Sequence, residues 1–231
     1  MKVRVASLGE MVVEIFAKEL DQPFHKAGVF LGPYPSGAPA IFVDALALLG
    51  CPTGILATIG NDGFGKCLMD KLEGDGADVG GVVKLDRITT GCALTSYNSD
   101  GTRQFIYFSH REAPGAFAPE HVSEDYLKHV EFLHLTGNVL TISESARAAC
   151  MKAIEIVLKY GGNISFDPNI RPEMMDLDKM MASDPWAGRG YGQTQGLNYT
   201  NMPAASALTF GKDIFPNGWD QYAKIAAAGG R

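Results

Sequence analysis

Apolar residues in the first part of the chain fall into short unbroken runs that alternate with stretches of helical spacing. Val3 to Leu8 is one such run, closed by Gly9, and Thr53 to Ile59 is a second, followed by the turn cluster Gly60-Asn61-Asp62-Gly63. Phe64 to Leu72 carries apolar residues at helical spacing and breaks at Gly74 and Gly76. Val130 to Leu135 is a third run. Thr141-Ile142-Ser143-Glu144 then matches the S/T-x-x-E capping box and predicts a helix to about Tyr160, which Gly161-Gly162 stops. Asn163 to Asp167 is a fourth run. Strands that are apolar throughout are covered on both faces. The alternation therefore predicts an α/β fold, an open and mostly parallel sheet of roughly four strands with helices on both faces.

Two stretches depart from this layering. Residues 10 to 34 hold extended, alternating segments around Pro23, and residues 88 to 111 contain a predicted hairpin, Cys92 to Tyr97 and Arg103 to Phe108 about the turn Asn98-Ser99-Asp100-Gly101. Strands from these two places are expected to pair into a small antiparallel sheet beside the core, a lid.

Composition changes the picture at the far end of the chain. No valine follows Val157 and no glutamate follows Glu173, while both tryptophans, Trp186 and Trp219, lie late in the sequence. Buried strands need β-branched runs, so the α/β part is expected to span residues 1–182, leaving 183–231 as a Gly-, Asn- and aromatic-rich tail of a different kind. The last helix-like piece runs from Gly218 to Ala228.

With 231 residues, 46% hydrophobic and 20% charged, the chain can bury a core, and it has no apolar run long enough for a membrane span. A net charge of -6 argues against nucleic acid or an anionic membrane surface as partner. The cytoplasm is the expected compartment. Cys51, Cys67, Cys92 and Cys150 are scattered without metal-ligand spacing and read as reduced, packed thiols.

Three motifs carry candidate chemistry. Gly60 to Lys66 reproduces G-x-x-x-x-G-K after a strand and before a helix, the context of a phosphate-binding loop and hence of a P-loop NTPase. Cys67 stands where such a loop needs a hydroxyl, however, and Asp62 puts a negative charge inside it; a Gly-rich turn with Lys66 on a surface helix explains the string better. Ser36, Gly37 and Ala38 open an almost wholly apolar stretch with Pro39 at an early helical position. That predicts a buried helix whose free N–H groups face either a ligand or close-packed small residues. Asp167-Pro168-Asn169-Ile170-Arg171-Pro172 lies just past the fourth strand, the edge where open α/β sheets place ligands. Asn169 and Arg171 are candidate substrate contacts there, Arg171 for a carboxylate or phosphate, against the alternative of a plain turn with a surface arginine.

Together these segments resemble the ribokinase-like, or PfkB, carbohydrate kinases. Gly9-Glu10, Ser36-Gly37-Ala38-Pro39-Ala40, Gly60-Asn61-Asp62-Gly63-Phe64-Gly65, His134-Leu135-Thr136-Gly137 and Asp167 to Pro172 follow the order and spacing of that family over residues 3 to about 180. The resemblance implies an α/β core with a β lid, transfer of a phosphoryl group from ATP with Mg²⁺ to a sugar hydroxyl, and frequent homodimerisation through the lid. It also implies that Glu14 takes the place of the acidic residue that binds sugar hydroxyls. Glu14, the Ser36-Gly37-Ala38 helix start and the lid strand carrying Phe105 and Tyr107 are then expected to face one cleft. The Ser-Gly-Ala-Pro-Ala-Ile-Phe form, with Ile41 where the family commonly has a sugar-binding Asn, resembles a branch acting on ketohexoses or sugar acids. The family's Gly-Ala-Gly-Asp segment, which supplies the catalytic base, is not found in this sequence. The alternative is therefore a sugar-binding or interaction protein that does not turn over.

Overall fold

The computed structural model describes residues 2–167 and 169. Arg171, the segment 183–231 and the helix expected within it lie outside the described residues. Nine strands and five helices follow in chain order among those described: β1 (Val5–Leu8), β2 (Val12–Ala17), β3 (Phe30–Ser36), α1 (Ala38–Leu48), β4 (Thr53–Gly60), α2 (Gly63–Gly74), β5 (Asp78–Leu85), β6 (Gly91–Tyr97), β7 (Arg103–Phe108), α3 (Glu124–Leu127), β8 (Phe132–Thr136), α4 (Val139–Ile142), α5 (Glu144–Lys159) and β9 (Asn163–Asp167).

The core is a five-stranded parallel sheet in the order β5-β4-β1-β8-β9. All eight residues of β4 and all four of β1 are buried. Successive side chains leave a strand on opposite faces, and they feed two separate hydrophobic layers here. Ala6, Leu8, Leu133 and Leu135 pack with Ala149, Ala153 and Val157 of α5. Ile55, Ala57 and Ile59 pack on the other face with Val43 of α1 and Leu68 and Leu72 of α2. Burying a side chain of this size contributes about 1.5–3 kcal/mol, so the two layers together hold the sheet.

Four expectations are corrected. The core has five strands rather than four, because Asp78–Leu85 adds β5 at the sheet edge. An edge strand pairs on one side only and tolerates the polar and glycine positions of Asp-Val-Gly-Gly. The helix opened by Ser36-Gly37 is buried along one face only, with Ile41 55% and Leu48 41% exposed. The capping residue of α5 is Ser143, whose hydroxyl accepts from Ala146 N–H at 3.0 Å; Thr141 belongs to α4 and donates to the Asn138 carbonyl at 2.8 Å. Finally the lid, in the order β3-β2-β6-β7, is a mixed sheet. β2 runs antiparallel to β3 but parallel to β6, with Val12 opposite Gly91, because both strands leave the core at the same end and run outward together.

All four cysteines are free, as expected of reduced thiols. Burial pushes the Cys51 thiol up to about 11 and raises that of Cys150 well above its ordinary range. No helix among the described residues is long and apolar enough to cross a membrane.

His134 sits inside the sheet, 3% exposed, stacked 3.9 Å from the Phe42 ring and with Nδ1 3.1 Å from Ser165 Oγ. Burial pushes its pKa down from 6.5 to about 4. The unfolded chain therefore takes up this proton first as the pH falls. Its contribution is fully present above about pH 6.5 and is lost as the pH approaches 4, about 3 kcal/mol in all. Denaturant unfolding of wild type and His134→Gln over this range should show the wild type losing its advantage as pH drops. A difference that does not change with pH would mean that the imidazole takes up its proton at the same pH in the folded and the unfolded protein.

Candidate active site

The carboxyl ends of parallel strands are where an α/β sheet leaves backbone groups and loops free to meet a ligand. Here that edge lies under the lid. Immediately after β1 the chain turns through Gly9 and Glu10 into β2, while β3 delivers Ser36 directly to the start of α1. Between these segments and β7 lies a cavity of about 440 Å³.

Its wall is built around Glu14. The Ser36 hydroxyl donates to Oε2 at 3.1 Å and the Thr95 hydroxyl to Oε1 at 2.6 Å, so strands β3 and β6 both hold the carboxylate of β2. Each carboxylate oxygen has a second lone pair and can still accept from a ligand hydroxyl. Deeper in, Glu10 is 1% exposed and accepts from Asn138 Nδ2 at 3.3 Å. The opposite side is formed by Arg103, Phe105 and Tyr107, alternate residues that share one face of β7. The Arg103 guanidinium lies 4.5 Å from the centre of the Phe105 ring.

The base of the cavity is the first turn of α1. Gly37 caps this helix with φ 107°, a conformation that side-chain-bearing residues avoid, and a Cβ there would collide with the Glu10 carbonyl oxygen. Glycine thus lets the helix start sit against the Glu10 backbone. Ile41, one turn on, faces the same cavity, which explains an exposed isoleucine in an otherwise packed helix.

Six residues expected from the sequence, Glu14, Ser36, Gly37, Ala38, Phe105 and Tyr107, line this one cavity. Asn169 does not line it; its backbone N–H donates to Asp167 Oδ1 at 2.9 Å in a turn past β9. Glu10, Arg103, His110 and Asn138 also line the cavity and were not expected as site residues. Arg103 was within reach of the sequence, since it stands two positions before Phe105 on the same strand. Glu10 and Asn138 meet across 128 residues, and no local pattern announces that pairing.

The string Gly60 to Lys66 is not a phosphate cradle. Asp62 caps α2 and accepts from Gly65 N–H at 2.8 Å, while Lys66 is paired with Asp70 on the outer surface. Among the described residues no group of three or more His, Cys, Asp or Glu side chains could hold a metal ion. The Gly60 to Lys66 loop thus offers neither a phosphate cradle nor a carboxylate cluster for Mg²⁺.

A family profile described as pfkB family carbohydrate kinase matches residues 2–186. The chain belongs to that family. Fructokinase-1 of Zea mays is 30% identical over 167 residues, which make up 72% of this chain and 51% of that protein. The chain therefore spans about half the length of the curated relatives it matches. A candidate ribokinase II from E. coli, whose structure is solved both without ligand and with ATP and Mg²⁺, shares 43% identity. The ligand-free form superposes with TM-score 0.74, covering 78% of this chain and 58% of that one. The Xylella fastidiosa fructokinase superposes at TM-score 0.69 with 23% identity, a likeness of fold.

Because Gly37 combines positive φ with a close backbone neighbour, Gly37→Ala should destabilise the protein by roughly 1–3 kcal/mol. Chemical denaturation checks this. A variant as stable as wild type would show that the helix start does not need this conformation.

Proposed function

We propose that this chain is the sugar-binding part of a carbohydrate kinase that transfers the γ-phosphoryl group of ATP, with Mg²⁺, to a hydroxyl of a ketohexose or sugar acid. The observation that carries this reading is the Glu14 carboxylate. It is held by Ser36 and Thr95 and faces a cavity of about 440 Å³, a size suited to one small ligand. A carboxylate so fixed accepts hydrogen bonds from sugar hydroxyls without having to be ordered on binding. Phe105 and Tyr107 offer apolar faces to the ring carbons of the same ligand, and the start of α1 closes the base. Asn169 and Arg171, beyond the fourth strand expected from the sequence, are proposed as further substrate contacts. These residues bind and orient the sugar. The ATP-bound E. coli neighbour supports the phosphoryl donor and its metal.

Pairing of two copies through the lid belongs to the same proposal. It is supported by the exposed Leu31, Ile106 and Phe108 on the lid strands. A second reading, sugar binding without turnover, uses the same cavity and differs only in the fate of the bound sugar.

Calorimetric titration with a panel of ketohexoses and sugar acids tests the proposal directly. One class should bind, and Glu14→Ala should weaken it roughly tenfold or more, the loss of a charge-assisted hydrogen bond. Failure of every sugar to bind the folded protein would sink the reading. Adding Mg²⁺ and ATP then separates the two readings, since sugar-dependent ADP release indicates a kinase and binding without it indicates the second.

A further inference from the structure

The loop between β4 and α2 carries a residue that the cavity does not use but depends on. Asp62 caps α2 with Oδ1, which accepts from Gly65 N–H at 2.8 Å. A helix cap needs no more than one oxygen, and serine or asparagine serves equally well. Asp62 does more. Its Oδ2 accepts from Thr90 N–H at 2.8 Å, and its Oδ1 also accepts from the Thr90 hydroxyl at 2.8 Å. Thr90 Oγ1 in turn accepts from Gly60 N–H at 2.9 Å. Glycine is required at position 60, since a Cβ there would lie 2.6 Å from both Asp62 Oδ2 and Thr90 N.

Thr90 is 2% exposed and immediately precedes β6, where the lid hairpin leaves the core. The other root of the hairpin is fixed at the same place. Ala113, beyond β7, donates its N–H to the Thr89 carbonyl at 2.8 Å and accepts from the Thr58 hydroxyl at 2.6 Å. Both ends of the hairpin are thus tied to the last residues of β4 and the α2 cap. Past this root, β6 offers Thr95 to Glu14, and β7 presents Arg103, Phe105 and Tyr107 to the cavity. The register puts Thr95 opposite Phe105 and Ala93 opposite Tyr107, so a displacement of the root moves the wall and the roof together.

We propose that Asp62 is a positioning residue for the sugar cavity, clamping the root of the lid hairpin to the end of the core sheet through Thr90. Asp62 does not line that cavity and acts only through Thr90 and the strand that follows. Burial alone would raise its carboxyl pKa, but the N–H groups of Gly65 and Thr90 and the Thr90 hydroxyl outweigh that and hold it below 3.8, charged. The aspartate in the phosphate-loop-like string has its role here, where a phosphate loop would have no use for it.

The role in sugar binding rests on the reading of the cavity proposed above, so the test has one arm that does not involve sugar. Asp62→Ser keeps a capping oxygen for α2 but is too short to reach Thr90. Thr58→Val removes the tie at the other root while keeping the side-chain shape. In both variants, amide hydrogen exchange of residues 92–97 and 103–108 should quicken roughly tenfold, while amides of α2 and α5 exchange as in wild type. The dissociation constant for the bound sugar should rise about three- to tenfold. A variant that simply unfolds would speed exchange everywhere, and the other variant then decides. Hairpin exchange unchanged in a folded variant overturns the clamp, even if sugar binds normally. Faster hairpin exchange with unchanged sugar affinity overturns the positioning role. Faster exchange in a protein whose wild type binds no sugar leaves the clamp standing and removes the sugar-site reading.

Discussion

A single carboxylate ties together three strands drawn from distant parts of the chain. Glu14 stands on β2, the strand flanked by β3 and β6 in the lid, and receives a hydroxyl from each of those neighbours: Ser36, 22 residues away, and Thr95, 81 residues away. A part-buried charge is tolerable only when its hydrogen bonds are made. The three strands therefore have one joint arrangement that satisfies Glu14. Because Ser36 ends β3 and Gly37 opens α1, that arrangement also fixes where the helix begins. The cavity inherits its shape from this node.

The core beneath the lid serves as a rigid footing. Side chains of β4 leave alternately into two hydrophobic layers, and those of β1 into the α5 layer on one face and a small cluster with Leu46 and Cys51 on the other, so neither strand can shift without disturbing both of its faces. The lid has no comparable covering. The outward residues of β7, Gln104, Ile106 and Phe108, are exposed, and the lid is held at its base by Val13 and Cys92 packed on the α1–α2 layer together with side-chain ties. Polar ties have defined lengths and directions, which is what a site needs from its supports.

How much of this was legible in the sequence depends on what each position touches. Strands covered on both faces announced themselves, and β9 was read with its observed bounds because Asn163 to Asp167 follows a Gly-Gly stop. β5 escaped notice because an edge strand is under less demand to be continuously apolar. The stretch after Gly37 reads as a wholly buried helix because an apolar residue that faces a cavity, as Ile41 does, looks in one dimension like one that faces a neighbour. The lid strands were visible, but their directions were not, since whether β2 and β6 run together depends on where each leaves the core. At the site, residues within contiguous motifs were legible, as were Phe105 and Tyr107 on one strand face, though not Arg103 beside them. Glu10 and Asn138, which meet only in three dimensions, were missed.

The sheet order has a consequence for how the chain acquires its shape. β6 and β7 are joined by the short turn at residues 98–102 and can find each other quickly. β1, at the centre of the core, pairs with β4 and then with β8, and the Ser7 hydroxyl donates to a carbonyl 127 residues away. Contacts of such separation form late, because the loop they close costs entropy before any pairing returns it. On a ribosome the central strand waits for β8, 127 residues further on, before both of its sides are paired. Until then it is an apolar edge with one side open, and that is the interval in which this strand is most exposed to aggregation.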